Sequence, residues 1–185
     1  MIRPEHIELF DLLWTSDYGW GDKPTDKSTE RINSVLNIKM PTSIIDFATQ
    51  CPNYGSLLSS LGENFDHPMH VLPLNWSVHR DYGDGHILPE WFVIINHGHD
   101  GHCFGIDKRT FDCENGEYEI LYWDIDEGLG FESDQKFTDF PSYLEYEILW
   151  AAQSHMDNKN RRGRIRNNSR HLIPKIENIL EKMWH

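Results

Sequence analysis

Three histidines stand close together in the middle of the chain, and imidazole is a common zinc ligand. His97, His99 and His102 lie in the segment 97–103, which reads HGHDGHC and so adds a carboxylate and a thiol. These are ligand types that zinc prefers in proteins. A small zinc-dependent hydrolase that uses the His97/His99/His102 cluster is therefore one hypothesis for this chain.

The motifs that normally accompany such chemistry are absent from the sequence. It contains no HExxH, no CxxC, no GxSxG and no phosphate-binding loop. A zinc site on the cluster would need ligands from elsewhere, for which the chain offers His67, His70, His79 and His86. We therefore expect no catalytic residue, no bound metal and no other cofactor. The alternative interpretation of the cluster is a polar β-turn on a histidine-rich surface.

A second group of residues, in and beside a predicted third strand, suits protein binding better than catalysis. Aromatic anchors surrounded by polar groups are typical of protein interfaces. The candidate partner-binding residues are Asp100, Tyr122, Trp123, Asp124, Asp126 and Glu127. The alternative interpretation places the aromatic rings in the core and the carboxylates in a solvated loop.

Charge is distributed unevenly along the chain, whose net charge is −13. Residues 1–158 carry 9 Lys and Arg against 28 Asp and Glu, a net charge of −19. Residues 159–185 carry 8 against 2, a net charge of +6. The acidic part should repel nucleic acid and attract basic partners. The basic run 159–166 (KNRRGRIR) is short and has no aromatic residue, which favours a solvated linker over a nucleic-acid contact.

Cysteine content and the hydropathy pattern indicate a cytoplasmic protein without a membrane span. The three cysteines, Cys51, Cys103 and Cys113, are odd in number and suit a reducing compartment. No apolar run approaches the roughly 20 residues that cross a bilayer. The first residues lack the basic and apolar regions of a secretory signal.

The periodicity of apolar residues predicts helices, then a strand meander, then helices. Helices are predicted over 5–14, 29–37, 41–51, 139–156 and 172–185, and strands over 91–96, 102–107 and 119–124. Ile32, Val35 and Leu36 should share one buried face. The His67-Pro68 and Leu72-Pro73 pairs argue against a regular helix over 66–76. This order predicts an α+β fold, with a twisted antiparallel or mixed sheet packed by helices.

We expect one domain with an additional C-terminal helix. Residues 1–37 would form an N-terminal helical extension and residues 38–156 the α+β core. Residues 157–171 would form a basic, mobile linker, because they are polar and rich in Gly and Asn. Residues 172–185 would form a C-terminal amphipathic helix that docks on the core.

Over roughly residues 38–150 the order of these features resembles the SUKH superfamily. This group includes proteins similar to a fungal cell-wall assembly regulator and to bacterial immunity proteins that partner polymorphic toxins. Four features carry the resemblance: a helix opening at Met40-Pro41 and ending near Asn53-Tyr54-Gly55, a strand at 89–95 (PEWFVII), the segment 101–107 (GHCFGID), and an aromatic strand at 120–124 (ILYWD) before a helix at 137–149. His102 stands where the family usually has Asp, so a role of that carboxylate is not carried over.

The resemblance implies a non-enzymatic, cytoplasmic bacterial immunity protein that binds and neutralises a cognate toxin domain. Many nuclease toxins are basic, so the acidic body of this chain suits such a partner. A regulatory scaffold of the same fold with a different partner is the alternative within this family. Neither interpretation involves a membrane or nucleic acid.

Overall fold

The computed structural model describes residues 2–14, 22–51, 53–68, 70–81, 89–97, 103–123, 136–160 and 172–184. Within these ranges the helices are α1 (Pro4–Leu13), α2 (Asp26–Leu36), α3 (Thr42–Gln50), α4 (Val71–Asp81), α5 (Phe140–Asn160) and α6 (Ile173–Trp184). The strands are β1 (Phe92–His97), β2 (Cys103–Asp107), β3 (Ile120–Trp123) and β4 (Lys136–Phe137). Short 3-10 turns lie at Tyr54–Ser56 and Lys108–Thr110.

The four strands form one antiparallel sheet in the order β1-β2-β3-β4. Helices precede and follow this meander, so the predicted α+β fold is confirmed. The register between β1 and β2 shifts between Ile94 and Asn96, which leaves Ile95 as an extra residue in β1. Such a bulge changes the face on which the following side chains lie.

Both faces of the sheet are buried in the described region. Val93, Ile95, Ile106 and Ile120 belong to the main core, which the helices cover. A second, smaller core lies on the other face and contains Leu74, Phe92, Ile94, Cys103, Leu121 and Trp123. Strand β2 therefore contributes side chains to both faces, with Cys103 buried in the second core and Ile106 in the main one.

Close packing on that second face explains the glycine in β2. A Cβ at Gly105 would lie 2.5 Å from the Phe92 ring and 2.6 Å from the Val93 carbonyl oxygen. These contacts are too short for any side chain larger than hydrogen without a shift of the backbone. Gly105 therefore allows Phe92 to cross the strand and fill the second core.

Helix α4 covers the outer edge of β1 through one amide side chain. Asn75 Nδ2 donates to the carbonyl oxygen of Ile94 at 2.9 Å, and the Ile94 N–H donates to Asn75 Oδ1 at 2.9 Å. The Ser59 N–H donates to the Ile95 carbonyl oxygen at 2.8 Å. These three bonds occupy backbone groups that an edge strand otherwise leaves open.

The terminal helices pack on the same core as the sheet. Leu9 and Phe10 of α1 and Ile32 of α2 are fully buried there, as are Ile176 and Ile179 of α6. Helix α1 lies against α5 and α6. The apolar spacing of residues 172–185 therefore predicted a helix that docks, and the structure has one.

Several predicted elements have different limits in the structure. Helix α2 begins at Asp26 because Thr25 caps it, accepting from the Ser28 N–H at 3.1 Å. Val35 is 61% exposed and does not share the buried face of Ile32.

The prediction of no helix over 66–76 is wrong from Val71 onward. Pro73 is the third residue of α4, a position where its missing N–H would have no helical acceptor. Helix α5 continues to Asn160, beyond the predicted end at 156. The rest of the predicted linker, 161–171, lies outside the described residues. No described helix has the length and apolarity that a bilayer crossing requires.

Candidate partner-binding surface

The six predicted partner-binding residues divide into two that the structure describes and four that it does not. Tyr122 is half-buried in β3. Trp123 is only 2% exposed and belongs to the second core. Asp100, Asp124, Asp126 and Glu127 lie outside the described residues. The expectation that Trp123 is an exposed anchor is wrong, because alternation along β3 turns its ring onto the face opposite to Tyr122.

Tyr122 belongs to a continuous run of aromatic rings between the sheet and α5, which we call the aromatic strip. The strip consists of Tyr122, Phe104, Tyr143, Phe137 and Tyr146. Ring centroids are 5.2 Å apart for Tyr122 and Phe104, 4.7 Å for Phe104 and Tyr143, and 5.6 Å for Tyr143 and Phe137. Phe137 and Tyr146 are 5.1 Å apart. The strip therefore connects the predicted site in β3 to the surface of α5.

Strand register and helix spacing together build the aromatic strip. Phe104 and Tyr122 are directly paired across β2 and β3, so their rings lie on the same face. Tyr143 and Tyr146 are three residues apart on α5 and are neighbours on the helix surface. Phe137 reaches this face from β4, which pairs with β3 at Ile120.

A partly buried hydrogen bond anchors the middle of the strip. Asn96 follows the β1 bulge and pairs with Phe104, and its Nδ2 donates to the Tyr143 hydroxyl at 2.8 Å. Tyr143 is fully buried. Its burial, and secondarily the nearby negative charge of Glu147, raise the pKa of Tyr143 well above its ordinary value. Tyr143 is therefore a neutral phenol that orders the strip.

The outer end of the strip is open to solvent and carries a carboxylate. Tyr146 is 39% exposed and Trp150 is 62% exposed. Glu147 is half-buried, and its burial raises the pKa of its carboxyl group to about 7. A large exposed ring beside a poorly solvated carboxylate is a combination that a binding surface uses and a stable core avoids.

Sequence reasoning missed Phe137, Tyr146, Glu147 and Trp150 as site residues. The apolar stripe at Phe140, Leu144 and Ile148 predicts the buried face of α5 but carries no information about the flank of the helix. The signal was present in the spacing, since Tyr146 and Glu147 follow Tyr143 by three and four residues, and Trp150 follows Glu147 by three. Only the pairing of β2, β3 and β4 shows that this flank continues the strand aromatics.

A different carboxylate–aromatic group lies at the end of β2. Asp107 is buried and accepts from Arg109 Nε at 2.8 Å and from Arg109 Nη2 at 2.6 Å. The Arg109 guanidinium lies 3.4 Å above the centre of the Trp91 ring. This group closes the turn after β2 and joins it to the start of β1, so its role in the structure is to hold the sheet together.

The histidine cluster falls mainly outside the described residues. Within the described ranges no group of three or more His, Cys, Asp or Glu side chains is placed to hold a metal ion. His70, one of the possible distant ligands, is buried and uses both ring nitrogens. Nδ1 accepts from the Leu72 N–H at 3.1 Å, and Nε2 lies 3.1 Å from the Gly62 carbonyl oxygen. Burial lowers the pKa of His70, and the ring acts as a neutral support for the loop before α4.

Comparison with known proteins gives a family but no individual relative. No curated protein sequence matches this chain. The family model described as SMI1/KNR4 (SUKH-1) matches residues 23–144. This match begins at residue 23 rather than 38, so it includes α2, which the sequence resemblance had left outside. Since the match spans more than half of the chain, from α2 to the first turn of α5, the protein belongs to the SMI1/KNR4 family of the SUKH group.

Proposed function

We propose that this protein is a non-enzymatic immunity-type protein that binds a cognate toxin domain and neutralises it by covering its active surface. The observation that carries the proposal is the family match over residues 23–144, because membership suggests an immunity-type or regulatory role with a protein partner. The surface and the charge of the molecule supply the supporting arguments.

The open end of the aromatic strip supports a docking role for α5. Trp150 and Tyr146 present large rings to solvent, and such rings are the residues that most often dominate binding energy at protein interfaces. The predicted carboxylates Asp100, Asp124, Asp126 and Glu127 remain proposed rim residues. In this arrangement Trp150 takes the anchor role that the sequence had assigned to Trp123.

The charge of the chain supports a basic partner. A net charge of −13 attracts a cationic protein and accelerates the encounter without contributing much to the final affinity. Such steering is screened over about 8 Å at physiological ionic strength. Association with a basic toxin domain should therefore slow markedly as salt is added.

The proposal is tested by co-expressing the chain with toxin domains encoded next to it, then measuring rescue of growth and binding. Trp150→Ala should weaken binding by about 2 kcal/mol, roughly 30-fold, because it removes an anchor ring. Val35→Ala is the matched control, since Val35 is equally exposed but lies on α2, and it should change affinity less than twofold.

Absence of micromolar binding to every neighbouring toxin domain would refute the immunity role for this chain. Binding to a neighbouring protein that is not toxic on expression would instead favour the alternative, a regulatory member of the same family. Equal losses for Trp150→Ala and Val35→Ala would leave the function intact and move the docking surface away from α5.

A further inference from the structure

Glu147 is a half-buried carboxylate whose charge is not matched by any residue that the structure describes. It makes no hydrogen bond or ion pair with any residue that the structure describes. Its neighbour two residues earlier, Glu145, pairs with Arg3 at 2.9 Å, and Glu119 pairs with Lys136 at 2.7 Å. A carboxylate that is partly removed from water and left without a cation lowers the stability of the protein that contains it.

Helix geometry places an exposed aromatic residue, Trp150, next to Glu147 on the surface of α5. Trp150 follows Glu147 by three residues and Tyr146 by four, so it neighbours both on the surface of α5. Tyr143 precedes Glu147 by four residues, and the charge of Glu147 contributes to the raised pKa of Tyr143. We call the Glu147 carboxylate together with the Tyr146 and Trp150 rings the Glu147 site.

Elsewhere in the same molecule, a carboxylate beside an aromatic ring already has its cation. At the end of β2 the Asp107 carboxylate holds the Arg109 guanidinium through two hydrogen bonds, while the guanidinium lies flat on the Trp91 ring. A planar guanidinium can pair with a carboxylate and stack on a ring at the same time, which a lysine ammonium does less well. The Glu147 site has the carboxylate and the rings.

We propose that the Glu147 site receives an arginine side chain presented by the partner protein, with the guanidinium paired to Glu147 and stacked on Trp150. This inference deepens the proposed function, on which it rests, by naming the chemistry of the partner. Charge complementarity selects this occupant, because a chain of net charge −13 favours a cationic ligand and arginine is the cation that uses both the carboxylate and the rings.

The protonation behaviour of the carboxyl group agrees with this assignment. Burial raises the pKa of Glu147 to about 7, so near neutral pH the free protein holds the group partly protonated. An arriving guanidinium would favour the ionised form and bring the pKa back toward its ordinary range. Glu147 is therefore positioned to gain a charge partner on binding without losing one among the residues that the structure describes.

A small-molecule test is independent of the toxin. The ¹⁵N-labelled full chain is titrated with Nα-acetyl-arginine N-methylamide, and separately with the citrulline analogue, in which a neutral urea replaces the guanidinium. We expect saturable shifts of the Trp150 indole N–H with the arginine probe only. Glu147→Gln should weaken this binding at least tenfold, while Glu177→Gln, an exposed position on α6, should change it less than twofold. Equal responses to the two probes, or an unchanged Glu147→Gln, would overturn the proposal.

The cognate toxin domain gives the second test, and it separates the two proposals. If the wild-type chain binds the domain, Glu147→Gln should reduce affinity at least tenfold, and the loss should vanish when the partner's contacting arginine is already replaced by alanine. Undiminished binding by Glu147→Gln would refute the arginine site and leave the immunity role standing. Failure of the wild-type chain to bind would refute the immunity role. The titration with the arginine probe would then be the test of whether the Glu147 site binds arginine.

A third variant tests whether the occupant belongs to the chain itself. The basic run contains Arg161, Arg162, Arg164 and Arg166, shortly after the end of α5. Replacing all four by Gln should leave affinity for the arginine probe within threefold. A rise of tenfold or more would show that this run occupies the Glu147 site in the free protein, and it would overturn the assignment to a partner.

Discussion

Asp107 and Glu147 each place a carboxylate beside aromatic rings, yet within the described residues only Asp107 has a cation. Asp107 is buried, and Arg109 binds both of its oxygens while stacking on Trp91. Glu147 is half-buried beside Tyr146 and Trp150, with the pKa of its carboxyl group raised to about 7. The first group joins two strands, whereas the second is open on the surface of α5.

The same chemical arrangement stabilises the sheet at Asp107, whereas at Glu147 we propose that it serves recognition. Arg109 follows Asp107 by two residues, and strand pairing places Asp107 opposite Phe92, next to Trp91. The cation is therefore supplied locally and the pair forms whenever the sheet forms. Where the cation is missing, the ionised carboxylate makes the fold less stable, and a cationic ligand would reverse that effect.

The largest expected effect on stability comes from breaking the ion pair between Asp107 and Arg109. Asp107→Asn should lower the free energy of unfolding by roughly 2–4 kcal/mol, because Asp107 is buried and its two oxygens hold both Arg109 and the turn after β2. Urea denaturation measures the change. Glu119→Gln is the control, since its ion pair with Lys136 is more exposed and should contribute less than about 1 kcal/mol. Equal losses in both variants would contradict the structural role of Asp107.

Glu147→Gln should change the free energy of unfolding in the opposite direction, so that the variant is more stable than the wild-type chain. Folding raises the pKa of Glu147 from 4.5 to about 7, so the carboxyl group contributes stability below pH 4.5 and loses it as the pH rises through 7. The neutral amide avoids this loss and should stabilise the protein by roughly 1–3 kcal/mol at pH 8, with less than half of that gain at pH 5. Denaturation at the two pH values measures it. A destabilised variant at pH 8 would mean that Glu147 already has a favourable charge partner in the free protein.

The smallest expected effect on stability concerns the hydrogen bond between Asn96 and Tyr143, in the middle of the aromatic strip. Tyr143→Phe removes the acceptor of the Asn96 amide and should cost about 1 kcal/mol. Tyr146→Phe, at the exposed end of the same aromatic strip, should change stability by less than about 0.5 kcal/mol. Thermal unfolding of the two variants makes the comparison. If both changes are equal, the Asn96–Tyr143 hydrogen bond does not order the strip.

Elements with strong periodicity could be predicted from the sequence, and short or context-dependent ones could not. The apolar stripes of α3, α5 and α6 have the helical period, and three strands have apolar or aromatic runs between turn residues, so each was found within a few residues. Strand β4 has two residues, Lys136–Phe137, which is too short for any periodic signal. Helix α4 was rejected because Pro73 looks like a breaker, and its harmless place in the first turn depends on where the helix begins.

The site was harder to predict because it depends on contacts between distant elements. Tyr122 was identified from its strand, but the direction of Trp123 depends on which face of the sheet carries the second core. The half-burial of Glu147 depends on how α5 packs in the folded chain, which no local pattern contains. Sequence reasoning therefore found the part of the surface that lies in one strand and missed the part contributed by α5.

The amide of Asn75 has a consequence for how this sheet meets other chains. Because the outward N–H and C=O of Ile94 are already bonded to Asn75, a foreign strand cannot extend the ladder there without first breaking both bonds. At Ile94 the β1 edge is thus closed to strand addition, and with it to fibril growth, by a single side chain. A partner that binds at that edge must therefore contact side chains rather than main-chain groups. Side-chain contacts can discriminate between related sequences.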